Sequence, residues 1–200
     1  MPTYGLKHIY AAKYVNTAGT ITYTDKVHVG DAISAKIEPQ NAQASLYAED
    51  GLAEFMSAMT GGTISLGVKY IKDAAQKLLF GMKEKSRSVS YVPTGSSATA
   101  TATATSLVIG SHDDGVYVGI AFYAPNMKDG AKTFTCVFLR KCLFGPPSMT
   151  FQTKGENITF QTPTTTGRYL MDDSSENNFY ESVVVNDENE AKAWVEAVLA

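Results

Sequence analysis

Two long segments of this 200-residue chain limit what it can fold into. Residues 34–49 read SAKIEPQNAQASLYAE, and residues 151–169 read FQTKGENITFQTPTTTGRY. Both are strand-like, and most of their side chains are small, hydroxyl or amide. Neither can fill a core alone, and neither has the look of a catalytic loop. A strand with such side chains on both faces belongs to a sheet whose second face meets another subunit or a solvent-filled space. That points to an assembly protein rather than an enzyme.

Alternation places further elements around these segments. Residues 4–15 open as a strand. Residues 21–29 form a second, with Ile21, Tyr23, Val27 and Val29 on one parity and Thr22, Thr24, Lys26 and His28 on the other. Residues 17–20, containing Gly19, supply the hairpin turn. Residues 33–37 and 40–48 are extended on either side of Pro39, which marks an edge or a kink. The stretch 48–62, AEDGLAEFMSAMTGG, reads as a long mixed loop closed by Gly61 and Gly62. Residues 64–70 alternate cleanly as a strand. A short helix is expected over 73–80, with Asp73 as cap, Gln76 at the capping-box position and Gly81 at its end. Residues 83–91 are polar and strand-like. Strands are expected at 116–123 and 131–144, the second apolar on both faces and therefore central. Others are expected at 149–152, 157–162 and 178–185. The chain closes in a helix over 187–199, capped by Asp187 with Glu190 completing the box. Its apolar stripe is Ala191, Trp194, Val195 and Val198, of which Trp194, Val195 and Val198 are expected to pack it on the sheet. The fold class is mainly β, all-β or α+β, with an antiparallel sandwich preferred.

The run 93–106, PTGSSATATATATS, has no charge and no large side chain. It is either a loop that buries almost nothing or a flat edge strand with Thr on one face and Ala on the other. The loop is the preferred reading. No second domain boundary is evident, so residues 1–200 are read as one domain.

Charged residues are 18% of the chain, below the roughly 25% of typical domains. A lightly charged exterior suits a subunit that buries its surface against copies of itself. Net charge is −3 with no basic block, which argues against tight phosphate-backbone binding. Cys136 and Cys142 share a parity in one expected strand, so they are placed on one face, about 20 Å apart and beyond disulfide reach. They are read as buried small hydrophobes made in a reducing compartment. No signal peptide and no membrane span is expected.

No catalytic, metal or cofactor site is expected. His8, His28 and His112 are isolated, without metal-ligand spacing. Asp113–Asp114 beside Gly115 reads as a turn rather than a calcium site. Asp172, Asp173 and Glu176 are read as part of a solvated loop. Most aromatics share parity with apolar neighbours and belong to the core. Phe55 is the exception. With Leu52, Met56 and Met59 at helical spacing in the 48–62 loop, it either folds back on its own subunit or inserts into a neighbour.

Five segments in order carry a resemblance: PTYGLKHIYAAKY (2–14), ISAKIEPQNAQASLYAEDGLAE (33–54), DAAQKLLFG (73–81), VYVGIAFYA (116–124) and FLRKCLFGPPSMTFQTKGENITFQTPTTTG (138–167). Together they make residues 2–168 resemble the major tail protein, or tail tube protein, of bacteriophages with long non-contractile tails. Residues 89–110 and 171–200 depart from that pattern. The resemblance implies a tail-tube-type β-sandwich, two packed antiparallel sheets flanked by a short helix, with the C-terminal helix as an addition. It implies a virion protein made in the host cytoplasm, a homo-oligomer of hexameric rings stacked into a tube. Double-stranded DNA passes through without tight binding, and a tape measure protein and a tail terminator are the implied partners, with no membrane. It also implies a loop that reaches the adjacent ring, which makes Leu52, Phe55, Met56 and Met59 the inter-ring candidates. One parity of 33–48 then faces the lumen, either Lys36, Glu38, Gln40 and Ala42 or Ala35, Ile37, Asn41 and Gln43. The first is favoured because it carries the charges and the second carries Ile37. Two other classes compete. One is the inner tube of a contractile tail or secretion system. The other is a carbohydrate- or receptor-binding sandwich using residues 112–117 and 172–180.

Overall fold

A computed structural model of the chain describes residues 3–49, 51–128, 130–153 and 160–200. Its strands are β1 (Lys7–Thr17), β2 (Thr20–Gly30), β3 (Ala32–Ala48), β4 (Gly51–Val68), β5 (Lys83–Tyr91), β6 (Ala100–Val108), β7 (Val118–Lys128), β8 (Ala131–Phe144), β9 (Thr164–Leu170) and β10 (Tyr180–Val185). Helix α1 (Asp73–Phe80) follows β4, and α2 (Glu188–Ala197) follows β10. The chain is mainly β, with antiparallel strands in two sheets. Eight strands form one sheet in the order β2-β1-β7-β8-β9-β4-β3, with β10 added to β8, and among the described residues β5 and β6 pair only with each other.

Strands β2 and β3 lie at opposite ends of that order, yet only Asp31 separates them in sequence. The large sheet must therefore fold over on itself at this corner. The N–H groups of Lys69 and Lys72 donate to the carbonyls of Asp31 and Val29, at 2.9 and 3.0 Å, and hold the corner shut. Two facing layers result, β2-β1-β7-β8-β10 and β9-β4-β3. Between them lie Ile9, Val29, Ile64, Leu66, Ile120, Leu139 and Tyr169, with Ala75, Leu79 and Phe80 of α1 closing the cluster. Alternation explains the selection, because Ile64 and Leu66 point inward from β4 while Thr63 and Ser65 point out. The outer face of the first layer carries a second apolar cluster under α2, made by Ala121, Tyr123, Phe134, Cys136 and Phe138 with Ala191, Val195 and Leu199.

Strand β8 is central, as its two apolar faces require, but its faces exchange partway along. Ile120 pairs with Leu139 and Val118 with Cys142, so Arg140 and Lys141 together oppose Gly119. This is a β-bulge, and it reverses the parity of everything beyond it. Cys136 consequently faces α2 while Cys142 lies in the core between the layers. The expectation that they share a face fails at the bulge. Both are free and buried, and burial pushes both thiols up, Cys136 to about 11. Leu143 is exposed for the same reason.

Helix α1 has the expected limits but not the expected cap. Lys72 occupies the cap position without a side-chain bond, and Gln76 Nε2 donates instead to the carbonyl of Ile71 at 2.8 Å. Asp73 sits in the first turn, where its charge favours the helix dipole. Gly81 closes the helix in the left-handed conformation. Helix α2 has the expected cap residue: Asp187 accepts from the N–H groups of Asn189 and Glu190 at 2.7 and 3.3 Å, but among the described residues the Glu190 side chain makes no return bond, so the expected box is only half made. Ala191 and Val195 are buried, and Trp194 and Val198 are half-buried against the same cluster. Leu199, outside the expected stripe, is also buried.

The Ala/Thr run forms β6, so the strand alternative holds from Ala100 onward. No strand forms at 149–152, where only Ser148 bridges to Thr164, and residues 157–159 lie outside the described set. Strand β9, hidden within the extended segment 151–169, inserts between β8 and β4. Asp172 is not solvated. It is buried, accepting from Ser174 Oγ at 2.6 Å and Asn178 N–H at 2.9 Å, with Arg140 Nη1 at 3.3 Å. Asp173 accepts from Lys141 Nζ at 2.8 Å and Tyr14 Oη at 2.9 Å. The two bulge residues thus tether the β9–β10 connection.

Val195→Ala should cost about 2 kcal/mol, two methyl groups plus a small cavity. Trp194→Ala should fall below the roughly 3–5 kcal/mol of a fully buried tryptophan, because one face remains wet. Urea unfolding followed by circular dichroism tests both. Equal and negligible effects would show that α2 is not docked.

His8 and His28 sit beside Tyr10, with ring centroids 6.3 and 5.2 Å away. Burial holds both imidazoles below their ordinary pKa, helped by Lys192 and Lys7 near His8 and by Lys72 near His28, while Glu188, Glu196 and Asp31 oppose. Folding therefore favours the neutral rings. Their contribution to stability should be full above about pH 6.5 and be lost as pH falls through the lowered values. Urea midpoints measured from pH 7 downward should decline in this window, and His8→Phe with His28→Gln should flatten the slope.

Candidate functional site

Strand β9 pairs with β4 only over Gly62–Gly67, but β4 continues to pair with β3 out to Gly51. Beyond Gly61 the sheet is therefore two strands wide. The branch point is marked by Gly61 and Gly62. A Cβ on Gly62 would fall 2.4 Å from the Tyr169 ring, and one on Gly61 would fall 2.7 Å from the Tyr169 carbonyl, with Gly61 at φ 135°. Only glycine lets the strand pass so close to the buried tyrosine. From there Asn41–Ala48 and their partners form an arm about 26 Å long.

The 48–62 segment is thus strand β4 of this arm and not a loop. Its helical spacing has no structural role. Pairing Asn41 with Met59, Ser45 with Phe55 and Ala44 with Met56 puts Phe55 and Met59 on one face and Met56 on the other. Leu52 pairs with Tyr47 through the backbone, its side chain lying outside what the structure describes. Tyr47, Phe55 and Met56 are 70%, 57% and 71% exposed, and Leu46 is exposed beside them. Met59, nearer the body, is half-buried against the core. A strand exposed on both faces has no amphipathic period, which is why sequence periodicity misread it.

At the arm's base the favoured parity is the outer one. Ala35 and Ile37 pack on the core while Lys36, Glu38 and Gln40 are exposed. Lys36 pairs with Glu38 at 2.7 Å, and Arg168 Nη2 donates to Gln40 Oε1 at 2.9 Å. Thr63, Ser65 and Thr166 fill in between, so the outward face of β3-β4-β9 is hydroxyl-rich and nearly neutral. Ala42 continues this parity onto the arm, where Asn41 and Gln43 of the opposite parity are also exposed because no core lies behind them.

A second hairpin, β5–β6, is exposed along almost its whole length. Its register places Lys83, Lys85, Arg87, Val89 and Tyr91 beside Val108, Ser106, Ala104, Ala102 and Ala100 on one face. Glu84 and three serines lie over Thr101, Thr103, Thr105 and Leu107 on the other. Phe151 and Phe160 are 85% and 88% exposed on adjacent legs joined by Gln161 Nε2 donating to Gln152 Oε1 at 3.1 Å. Asp113 ion-pairs with Lys83, which holds its carboxyl below the usual range, and accepts from Gly110 N–H at 2.8 Å. Among the described residues no three His, Cys, Asp or Glu side chains gather as a metal site, and no helix is long and apolar enough to cross a membrane.

No protein-family model matches the sequence, and no curated protein matches it either.

Phe55→Asp should leave the melting temperature of the dilute protein unchanged, because the side chain supports nothing behind it. Ile37→Asp, which pushes a carboxylate into the layer interface, should unfold it. Differential scanning calorimetry separates these, and a large loss for Phe55→Asp would place that ring in the core.

Proposed function

We propose that this chain is a structural subunit of a phage tail tube, of the long non-contractile kind, assembling into stacked hexameric rings around a DNA conduit. The observation that carries this reading is the β3-β4-β9 layer. One face is core, the other is polar with its few charges nearly balanced, and the layer runs on into an arm that the subunit itself does not cover. Strand β3 has 17 residues and, among the described residues, pairs on one side only, so its other edge offers backbone groups to a further strand. Pro39 lies in this edge strand, where its missing N–H is tolerated. A subunit built to extend its sheet and to reach past its own boundary is suited to a ring and to a stack of rings. The resemblance of residues 2–168 supplies the specific assembly, with a tape measure protein and a tail terminator as partners.

A conduit for DNA should not hold phosphates, since clustered cations bind the backbone and slow its passage. Lys36 and Arg168 face outward here, but Glu38 neutralises the first and Gln40 engages the second. In a receptor-binding sandwich, Asp172 would have to be available to a sugar, whereas its oxygens are occupied within the fold.

Negative-stain electron microscopy of the concentrated protein should show rings or tubes, and monomers at every concentration would overturn the reading. Glu38→Lys leaves Lys36 unpaired and adds a ring of positive charge to the channel. Such tubes should still assemble yet retain linear double-stranded DNA at low salt, with release as salt rises. Unchanged DNA retention would remove Glu38 from the lumen.

A further inference from the structure

Among the described residues two hairpins, β3–β4 and β5–β6, are left uncovered, and their exposed faces complement one another. An isolated two-stranded hairpin is at best marginally stable in water. The β3–β4 arm and the β5–β6 hairpin both project as such ribbons, and each presents one face that combines apolar and charged side chains. On the arm that face carries Ala42, Ala44, Leu46, Glu54, Met56 and Ala58. On β5–β6 it carries Lys85 beside Ser106, then Arg87, Val89 and Tyr91 beside Ala104, Ala102 and Ala100.

The charges are opposite in sign and sit at opposite ends. Glu54 is near the arm's tip, followed toward the base by Met56 and Ala58. Lys85 and Arg87 are in the basal half of β5, followed toward the tip by Val89 and Tyr91. Among the described residues none of Glu54, Lys85 and Arg87 makes an ion pair, whereas Lys83 at the very base is already paired with Asp113. Laid tip to base, the two faces bring Glu54 onto Lys85 and Arg87, and Met56 onto Val89 and Tyr91. The alanines on both faces let the ribbons approach closely. Laid tip to tip, the same faces would put Glu54 against Tyr91 and leave both cations without a counter-charge.

We infer that the β3–β4 arm of one copy docks tip to base on the Lys85–Arg87–Val89–Tyr91 face of the β5–β6 hairpin of a second copy. The inference rests on the tube reading in taking the arm as the element that joins copies, and adds the surface it joins. Each ribbon is about 30 Å long and about 10 Å wide, so a face offers on the order of 300 Å². A standard interface uses about 800 Å² per partner. One such contact cannot hold a dimer, but a ring of them engaging together can hold a stack. Association should therefore be steeply concentration-dependent and salt-sensitive.

The test is a charge-swap cycle on the full chain at low salt, read by sedimentation velocity and negative-stain microscopy. Arg87→Glu alone and Glu54→Lys alone should each cut the assembled fraction about tenfold, and the double variant Glu54→Lys/Arg87→Glu should recover most of it. Melting temperatures should be the same in all four proteins, since both positions are exposed. Tubes formed equally well by Arg87→Glu, or a double variant no better than the singles, would overturn the contact and leave the tube reading standing. Smaller oligomers that follow the cycle without forming tubes would uphold the contact and overturn the tube. Wild-type protein that stays monomeric throughout would overturn both.

Discussion

The bulge at Arg140–Lys141 is the constraint on which the rest of the structure depends. Strand β8 serves two apolar clusters and three neighbouring strands, and it does so by changing face where the extra residue is accommodated. Up to Leu139 it pairs with β10, and from Lys141 it pairs with β9. A bulge adds local twist, and here the change of partner coincides with it. The sheet forks at that point, sending β10 under α2 and β9-β4-β3 over the main core. The bulge residues then fix the fork through their side chains, Arg140 to Asp172 and Glu181, Lys141 to Asp173. Asp172 is the buried member, so losing Arg140 leaves its charge without compensation, and this small cluster ties strand order to the loop that connects β9 to β10.

Once the sheet has forked and folded back at Asp31, β3 and β4 are longer than the body they cover. Only their basal halves find a hydrophobic partner. The distal halves remain hydrogen-bonded to each other and exposed on both faces, and the glycine pair against Tyr169 marks where one regime gives way to the other. The same geometry applies to β5–β6, whose strands bury almost nothing. A monomer that spends this much chain on uncovered ribbons gains little stability from them. The proposed tube and the proposed ribbon-on-ribbon contact share one premise, that the ribbons' apolar and charged side chains serve as surfaces for other copies.

Part of the candidate site was legible from residues alone. Alternation in 33–40 forces Ile37 inward and Lys36 and Glu38 outward, because a one-residue slip would bury two charges. The arm was not legible. Phe55, Met56 and Met59 fall at helical spacing by coincidence, and a ribbon wet on both sides imposes no period that could contradict it. The β5–β6 face was partly visible, since the Ala/Thr alternation permits a strand, but what faces the alanines depends on the pairing register with β5.

By itself the sequence determined most of the strands that bury one face, though not β9, together with the limits of α1 and the Asp187 cap and apolar stripe of α2. These are local matters, set by side-chain period and by hydrogen bonds within a few residues. Only the tertiary structure decided that Cys136 and Cys142 face different cores, that Asp172 is buried, and that the two facing layers belong to a single sheet. Each of those depends on one inserted residue in β8 or one corner residue between β2 and β3. A bulge or a corner shifts every later side chain without leaving a mark on composition or periodicity, so it becomes visible only when the partner strand is in place.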